Sequence, residues 1–132
     1  MRIFLDANIL FSAAQSGSRM SDFLDVLFDQ ANCLTNVCAV EEVRRNLELK
    51  SPEVLYRLDE LVKKCKLISA IATDLKVDLS AKDIPILGGA IAGQATHLLT
   101  GDKRDFGVYF GKTIQGVKIV SPIMLVKELK LS

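Results

Sequence analysis

Three consecutive apolar residues near the start, Ile3-Phe4-Leu5, run straight into two polar ones, Asp6 and Asn8. An unbroken apolar run of this length marks a strand covered on both faces, as in a parallel sheet lying between helical layers. The spacing predicts such a strand over Arg2 to Asp6. A carboxylate at the end of a buried strand requires a hydrogen-bonding partner or a cation. The same few residues therefore argue for an α/β fold and single out Asp6. The stretch Ile3 to Leu10 has neither the length of a spanning helix nor the uninterrupted apolar core of a signal peptide. No membrane partner is expected, and a cytoplasmic protein is.

Further strands and helices alternate along the chain. Leu24, Leu27 and Phe28 recur at helical spacing after Ser21, and Cys33-Leu34-Thr35 reads as a second strand. Asn36 is placed to cap a helix with Val40, Val43 and Leu47 on one face. Ser51-Pro52 opens another helix, which turns Leu55, Leu58, Leu61 and Val62 inward. Leu67-Ile68, His97 to Thr100 and Val117 to Val120 are strand candidates. Ile84 to Ala95 is a helix rich in small residues, and Ser121-Pro122 starts the last helix. This order implies a three-layer α/β/α sandwich with a central parallel sheet. With 132 residues, 49% of them apolar, the chain can bury one core, and residues 1–132 are expected to form one domain. Gly88, Gly89 and Gly93 lack the spacing of a dinucleotide loop; close packing of the helix on the sheet explains them better.

Cys33, Cys38 and Cys65 are three in number and have no paired zinc spacing, so reduced thiols in a cytoplasmic setting are expected. The formal net charge of +1 excludes a cationic coat that binds nucleic acid by charge alone. It hides a strong unevenness. Residues 1–42 carry 2 basic and 6 acidic side chains, whereas residues 103–132 carry 6 and 2.

Ligands of open parallel sheets gather outside the carboxyl ends of the strands. Asp6 and Asp102 each follow a strand, Asp83 lies at the start of the small-residue helix, and Glu41 and Glu42 lie about a turn into theirs. Two unit charges 4 Å apart repel by roughly 4 kcal/mol at an effective dielectric of about 20. Carboxylates sharing one cleft must therefore hold protons or a cation, and oxygen-only ligands suit Mg²⁺ or Mn²⁺. Such an ion lowers the pKa of water and stabilises a departing oxyanion in phosphodiester hydrolysis. Structural roles compete with this one. Asp83 can cap its helix, with Ser80 in a capping-box pattern; Asp102 suits a turn; Glu41 and Glu42 can pair with Arg45 along the helix.

Four blocks resemble PIN-domain proteins: Leu5-Asp6-Ala7-Asn8-Ile9-Leu10, Ala39 to Leu47, Asp83-Ile84-Pro85-Ile86-Leu87, and Leu99-Thr100-Gly101-Asp102-Lys103-Arg104-Asp105-Phe106. They occur in the family's order from Arg2 to Phe106. The resemblance implies a metal-dependent ribonuclease site whose acids fall on Asp6, Glu42, Asp83 and Asp102, with Asp105 a frequent addition. Only the resemblance favours Glu42 over Glu41. Asn8 and Thr100 match positions that support the acids, and Lys103 and Arg104 stand where they can meet the phosphates of an RNA substrate. Ala7 departs from the threonine of many members, which bears on fine positioning. Stand-alone PIN proteins are often the toxin of a toxin–antitoxin pair, similar to VapC. A cognate antitoxin and a homodimer are then the implied partners. A non-catalytic RNA-binding or adaptor module is the alternative, and a phospho-acceptor domain is disfavoured by Asn8 standing where a second aspartate would be needed.

Overall fold

In the computed structural model, which describes residues 1–130, six strands form one sheet in the order β3-β2-β1-β4-β6-β5. These are β1 (Arg2–Leu5), β2 (Asn32–Thr35), β3 (Lys66–Leu67), β4 (His97–Leu99), β5 (Thr113–Ile114) and β6 (Val117–Val120). Seven α-helices accompany them: α1 (Ala7–Ala14), α2 (Arg19–Gln30), α3 (Val37–Lys50), α4 (Leu55–Lys63), α5 (Ile84–Ala92), α6 (Lys103–Phe106) and α7 (Pro122–Glu128). Every strand pair is parallel except β5–β6, so the expected parallel sheet carries one antiparallel edge. The fold is the α/β sandwich that the alternation of elements implied. Connections from β1 to β2 to β3 run one way along the sheet, and those from β3 to β4 to β6 run back. Right-handed crossovers then set α1 to α4 on one face and α5 on the other.

Ile3, Phe4 and Leu5 are all fully buried at the centre of the sheet, as their unbroken apolar run required. Helix α1 does not interrupt this core. Ile9, Leu10, Ala13 and Ala14 recur at helical spacing and are buried, while Asp6 caps the helix by accepting from the Ala7 N–H at 2.6 Å. Asn36 caps α3 through the Ala39 N–H at 3.0 Å, as its position suggested. Ser51 makes no side-chain cap; a short 3₁₀ turn over Pro52–Val54 leads into α4 instead. Gln115 and Gly116, with φ of 50° and 89°, make the two-residue turn that folds β5 back on β6. Positive φ at both central residues matches the right-handed twist of a hairpin. At the edge away from the strand ends, His97 and Lys118 both reach Glu128 and tie α7 to the sheet.

The small residues of α5 serve close approach. A Cβ on Gly89 would overlap the Asn36 amide nitrogen and stand 3.1 Å from the Phe4 ring; one on Gly88 would lie 2.6 Å from the Ala72 carbonyl oxygen. The displaced Asn36 amide is the group that donates to the Pro85 carbonyl at 3.1 Å and belongs to the cap of α3. Gly89→Ala gains about 1 kcal/mol of helix propensity but loses about 1–3 kcal/mol to overpacking against groups that cannot retreat. We expect a net loss of stability, read as a lower urea midpoint at constant m-value. A midpoint at or above that of the wild type would contradict this packing.

Candidate metal centre

Strand order reverses beside β1, so the crevice between the carboxyl ends of β1 and β4 is a topological switch point, where α/β sheets bind ligands. Asp6 leaves β1 there and Thr100 leaves β4. Asp6 is only 3% exposed. Its Oδ1 accepts from the Ala7 N–H at 2.6 Å, and its Oδ2 accepts from the Thr100 hydroxyl at 2.8 Å and the Asn8 amide at 3.2 Å. Thr100 uses its whole capacity, since its oxygen also accepts from Asn8 at 3.3 Å and from the Asp102 N–H at 3.1 Å. The Asn8 carbonyl oxygen in turn accepts from the Gly101 N–H at 2.7 Å. These bonds join the ends of the two central strands and fix the loop that presents Asp102.

Asp102 caps α6 with one oxygen, Oδ1, which accepts from the N–H groups of Arg104 and Asp105, each at 3.1 Å. Among the described residues Oδ2 has no hydrogen-bond partner and stays available. Asp83, 3% exposed at the head of α5, makes no capping bond; it accepts from the Ser80 hydroxyl at 2.6 Å. The competing cap role of Asp83 is therefore not what the side chain does. Ligand oxygens of Asp83, Asp102 and Asp105 all lie within 4.8 Å of one another. Asp105 thus joins two of the four acids that the resemblance put forward, while Asp6 and Glu42 stand around that trio.

The electrostatics bear on a cation. Burial raises the Asp6 carboxyl to about 6, against the hydrogen bonds from Thr100 and Ala7, and Glu42 and Asp102 add to the rise. Burial likewise raises Asp83 to about 6; the Ser80 bond opposes it, and the neighbouring Asp105 and Asp6 reinforce it. Two carboxyls held this way fit a site that trades protons for a divalent ion. The donor set is also the right one: all-oxygen, open to water, and with unused lone pairs on Asp83, Asp102 and Asp105. Asp6 already accepts three hydrogen bonds, which leaves about one of a carboxylate's four lone-pair sites.

A cleft of about 800 Å³ opens over the acids, lined by Asn8, Glu42, Asp102 and Asp105 together with Lys50, Lys82 and Arg104. Of the two basic residues expected to meet phosphates, Arg104 lines this cleft, whereas Lys103 is exposed and does not. Lys82 takes the place beside the acids. Burial acts to lower its ammonium, but Glu42, Asp83, Asp102 and Asp105 outweigh that and hold it above the usual lysine value. Glu42 faces the cleft, and Glu41 does not. Asn46 and Lys50, four and eight residues beyond Glu42, line it too, so helical spacing from Glu42 is a signal that finds them. Lys82 gives no signal but its place before Asp83. A groove of about 830 Å³ between α2 and α7, walled by Met20, Phe23, Val26 and Ile123, shares none of these residues.

No protein-family model and no curated protein matches the sequence. Solved structures match by fold. A chain in the crystal structure of VapBC2 from Rickettsia felis, bound to a DNA fragment from their promoter, aligns with 92% of this chain and 98% of its own at a TM-score of 0.70 and 18% identity. A chain in the structure of FitAB bound to the IR36 DNA fragment gives a TM-score of 0.59 at 17% identity, covering 91% and 94%. A chain of FitAcB from Neisseria gonorrhoeae gives 0.58 at 16%, covering 92% and 98%. At these identities the likeness is one of fold.

Proposed function

We propose that the chain is a metal-dependent endoribonuclease, a single PIN-like domain that hydrolyses RNA phosphodiester bonds as the toxin of a toxin–antitoxin pair. The observation that carries this reading is the meeting of Asp83, Asp102 and Asp105 oxygens within 4.8 Å at the switch point, beside a buried Asp6. Asp83, Asp102 and Asp105 would hold a Mg²⁺ or Mn²⁺ ion directly, and Asp6 and Glu42 would hold it directly or through water. When bound, the ion supplies Lewis acidity for attack by water and for the charge that develops on the leaving oxygen.

The chain's own residues do the rest. Thr100 and Asn8 keep Asp6 oriented, and the same two side chains brace the Asp102 loop. Ser80 holds Asp83 in place from the short turn that precedes α5. Arg104, Lys82 and Lys50 line the cleft and offer cations to the phosphates of a single strand. In this division of roles the acids hold the ion, and the basic side chains of the cleft meet the polymer.

The resemblance to VapC-like proteins implies a cognate antitoxin and a homodimer, and the fold shared with chains of VapBC2 and FitAB favours the first of these, a protein partner. An RNA substrate and such a partner belong in the cytoplasm; no helix among the described residues is long and apolar enough to cross a membrane. The test is cleavage of a single-stranded RNA pool with Mg²⁺, with Mn²⁺ and with chelator. Cleavage is expected with either ion and none with chelator. Equal cleavage in chelator, or none with any divalent ion, sinks the reading.

A further inference from the structure

Beyond Glu42 and Lys82 the cleft continues. These two side chains also line a second depression of about 330 Å³, on the side away from Asp102 and Asp105. Its walls come from one face of α3, where Val37, Cys38, Glu41 and Arg45 follow helical spacing, and from Pro85 and Ile86 at the start of α5. Val37 is 61% exposed, an uncovered apolar side chain at the mouth. Glu41 and Arg45 are both exposed, and among the described residues neither has an opposite charge within 4.0 Å, so the pairing along α3 that the sequence allowed is not made.

We propose that this depression is a nucleobase subsite: it receives the base adjacent to the phosphate that is cut. The inference rests on the nuclease reading and adds to it the feature that selects the sequence. Three observations point the same way. The depression shares Glu42 and Lys82 with the cleft over the acids, so a strand whose phosphate lies there has its neighbouring nucleoside within reach. Its walls mix apolar groups with a polar edge, which is the chemistry of a base, apolar on its face and hydrogen-bonding on its rim. Beyond Glu42, α3 adds two charged groups there, Glu41 and Arg45, and they are of opposite kind. The Glu41 carboxylate accepts from an exocyclic amine; the Arg45 guanidinium donates to ring nitrogens or carbonyl oxygens. Adenine, cytosine and guanine each offer both partners. Uracil alone lacks an exocyclic amine and is the poorest occupant.

Cys38 is a free, exposed thiol on the wall of the depression and reports its occupancy directly. The rate of its modification by N-ethylmaleimide, read by mass spectrometry on the wild-type chain, should fall with short oligo(A), in Ca²⁺ or in chelator. Oligo(U) should need about tenfold more strand for the same protection. In parallel, the ends produced from a random RNA pool should show bias at one nucleotide beside the cut, and Arg45→Gln or Glu41→Gln should reduce that bias about tenfold. Unchanged Cys38 reactivity under both conditions overturns the subsite, as does a cleavage profile that both substitutions leave intact. If the wild type cuts no RNA, the nuclease reading falls, and Cys38 protection still decides whether a base enters here.

Discussion

Asp102→Asn is expected to reduce metal-dependent RNA cleavage by at least about 100-fold, since even residues that only support metal ligands are worth about 10–100-fold. That is a loss of about 2.7 kcal/mol or more of transition-state stabilisation. The substitution separates the chemical from the structural duty of the residue. An asparagine keeps the oxygen that caps α6 by accepting from Arg104 and Asp105, and it removes the carboxylate charge beside the other acids. Asparagine and aspartate are close to equal as caps, so the fold should survive. Stability in chelator should in fact rise. Asp83 and Asp105 stand within 4.8 Å of Asp102, and deleting one of three like charges relieves a repulsion that water at this half-exposed residue screens to about 1 kcal/mol or less. Addition of Mg²⁺ should stabilise the wild type and leave Asp102→Asn nearly unmoved. The joint signature is activity down, metal-free melting temperature up, and the metal-induced shift gone. A variant that loses activity together with stability would show that the charge of Asp102 serves the fold rather than a metal, and a variant that still cuts RNA would remove it from the site.

The parts of the fold that were legible in the sequence are those whose signal is local. β1 shows as an unbroken apolar run, α3 begins at a capping asparagine, and α7 begins at Ser121-Pro122, where the serine accepts from the Met124 N–H. Helix α1 was hidden because Asp6 reads as an interruption of an apolar stretch, whereas it is the hinge at which a buried strand becomes a buried helix. β3 begins one residue before its expected start and is exposed, since an edge strand of two residues needs no apolar pattern. β5 owes its existence to the Gln115-Gly116 turn and to pairing with β6, neither of which a two-residue strand announces. The site divides in the same way. Acids at strand ends follow from topology, but the choice of Glu42 over Glu41 depends on where α3 lies against α5. Lys82 reaches the acids and Lys103 does not, although Lys103 is next to Asp102 in the chain. Adjacency to Asp102 singled out Lys103 and Arg104 alike, and only Arg104 lines the cleft.

The acid at the end of β1 sets the second large effect, a dependence of stability on pH opposite to that of an ordinary carboxylate. The Asp6 carboxyl moves from 3.8 to about 6 on folding, chiefly because burial penalises its charge. A raised carboxyl pKa means that the folded chain holds this proton more tightly than the unfolded chain does. Between about pH 4 and pH 6 the folded state therefore carries the extra proton, and stability falls as pH rises. A rise of this size corresponds to about 3 kcal/mol, a penalty fully present above pH ~7 and absent below pH ~4. Asp83 contributes in the same direction. Glu128, whose pKa is lowered mainly by Lys118, works the other way at lower pH, so the raw profile is a sum of opposing slopes. Comparison with Asp6→Asn isolates the contribution of Asp6. In chelator, the stability of the wild type relative to the variant should decline by about 3 kcal/mol from about pH 4 to pH 7, whatever constant offset the lost Thr100 bond brings. Saturating Mg²⁺ should remove that decline, because the ion favours the charged carboxylate; at 100 times its dissociation constant it adds about 2.7 kcal/mol of stability. Urea unfolding at several pH values, with chelator and with Mg²⁺, measures all of this. Parallel wild-type and Asp6→Asn profiles in chelator would show that Asp6 carries its charge in the fold without cost, and that no cation is needed to explain it.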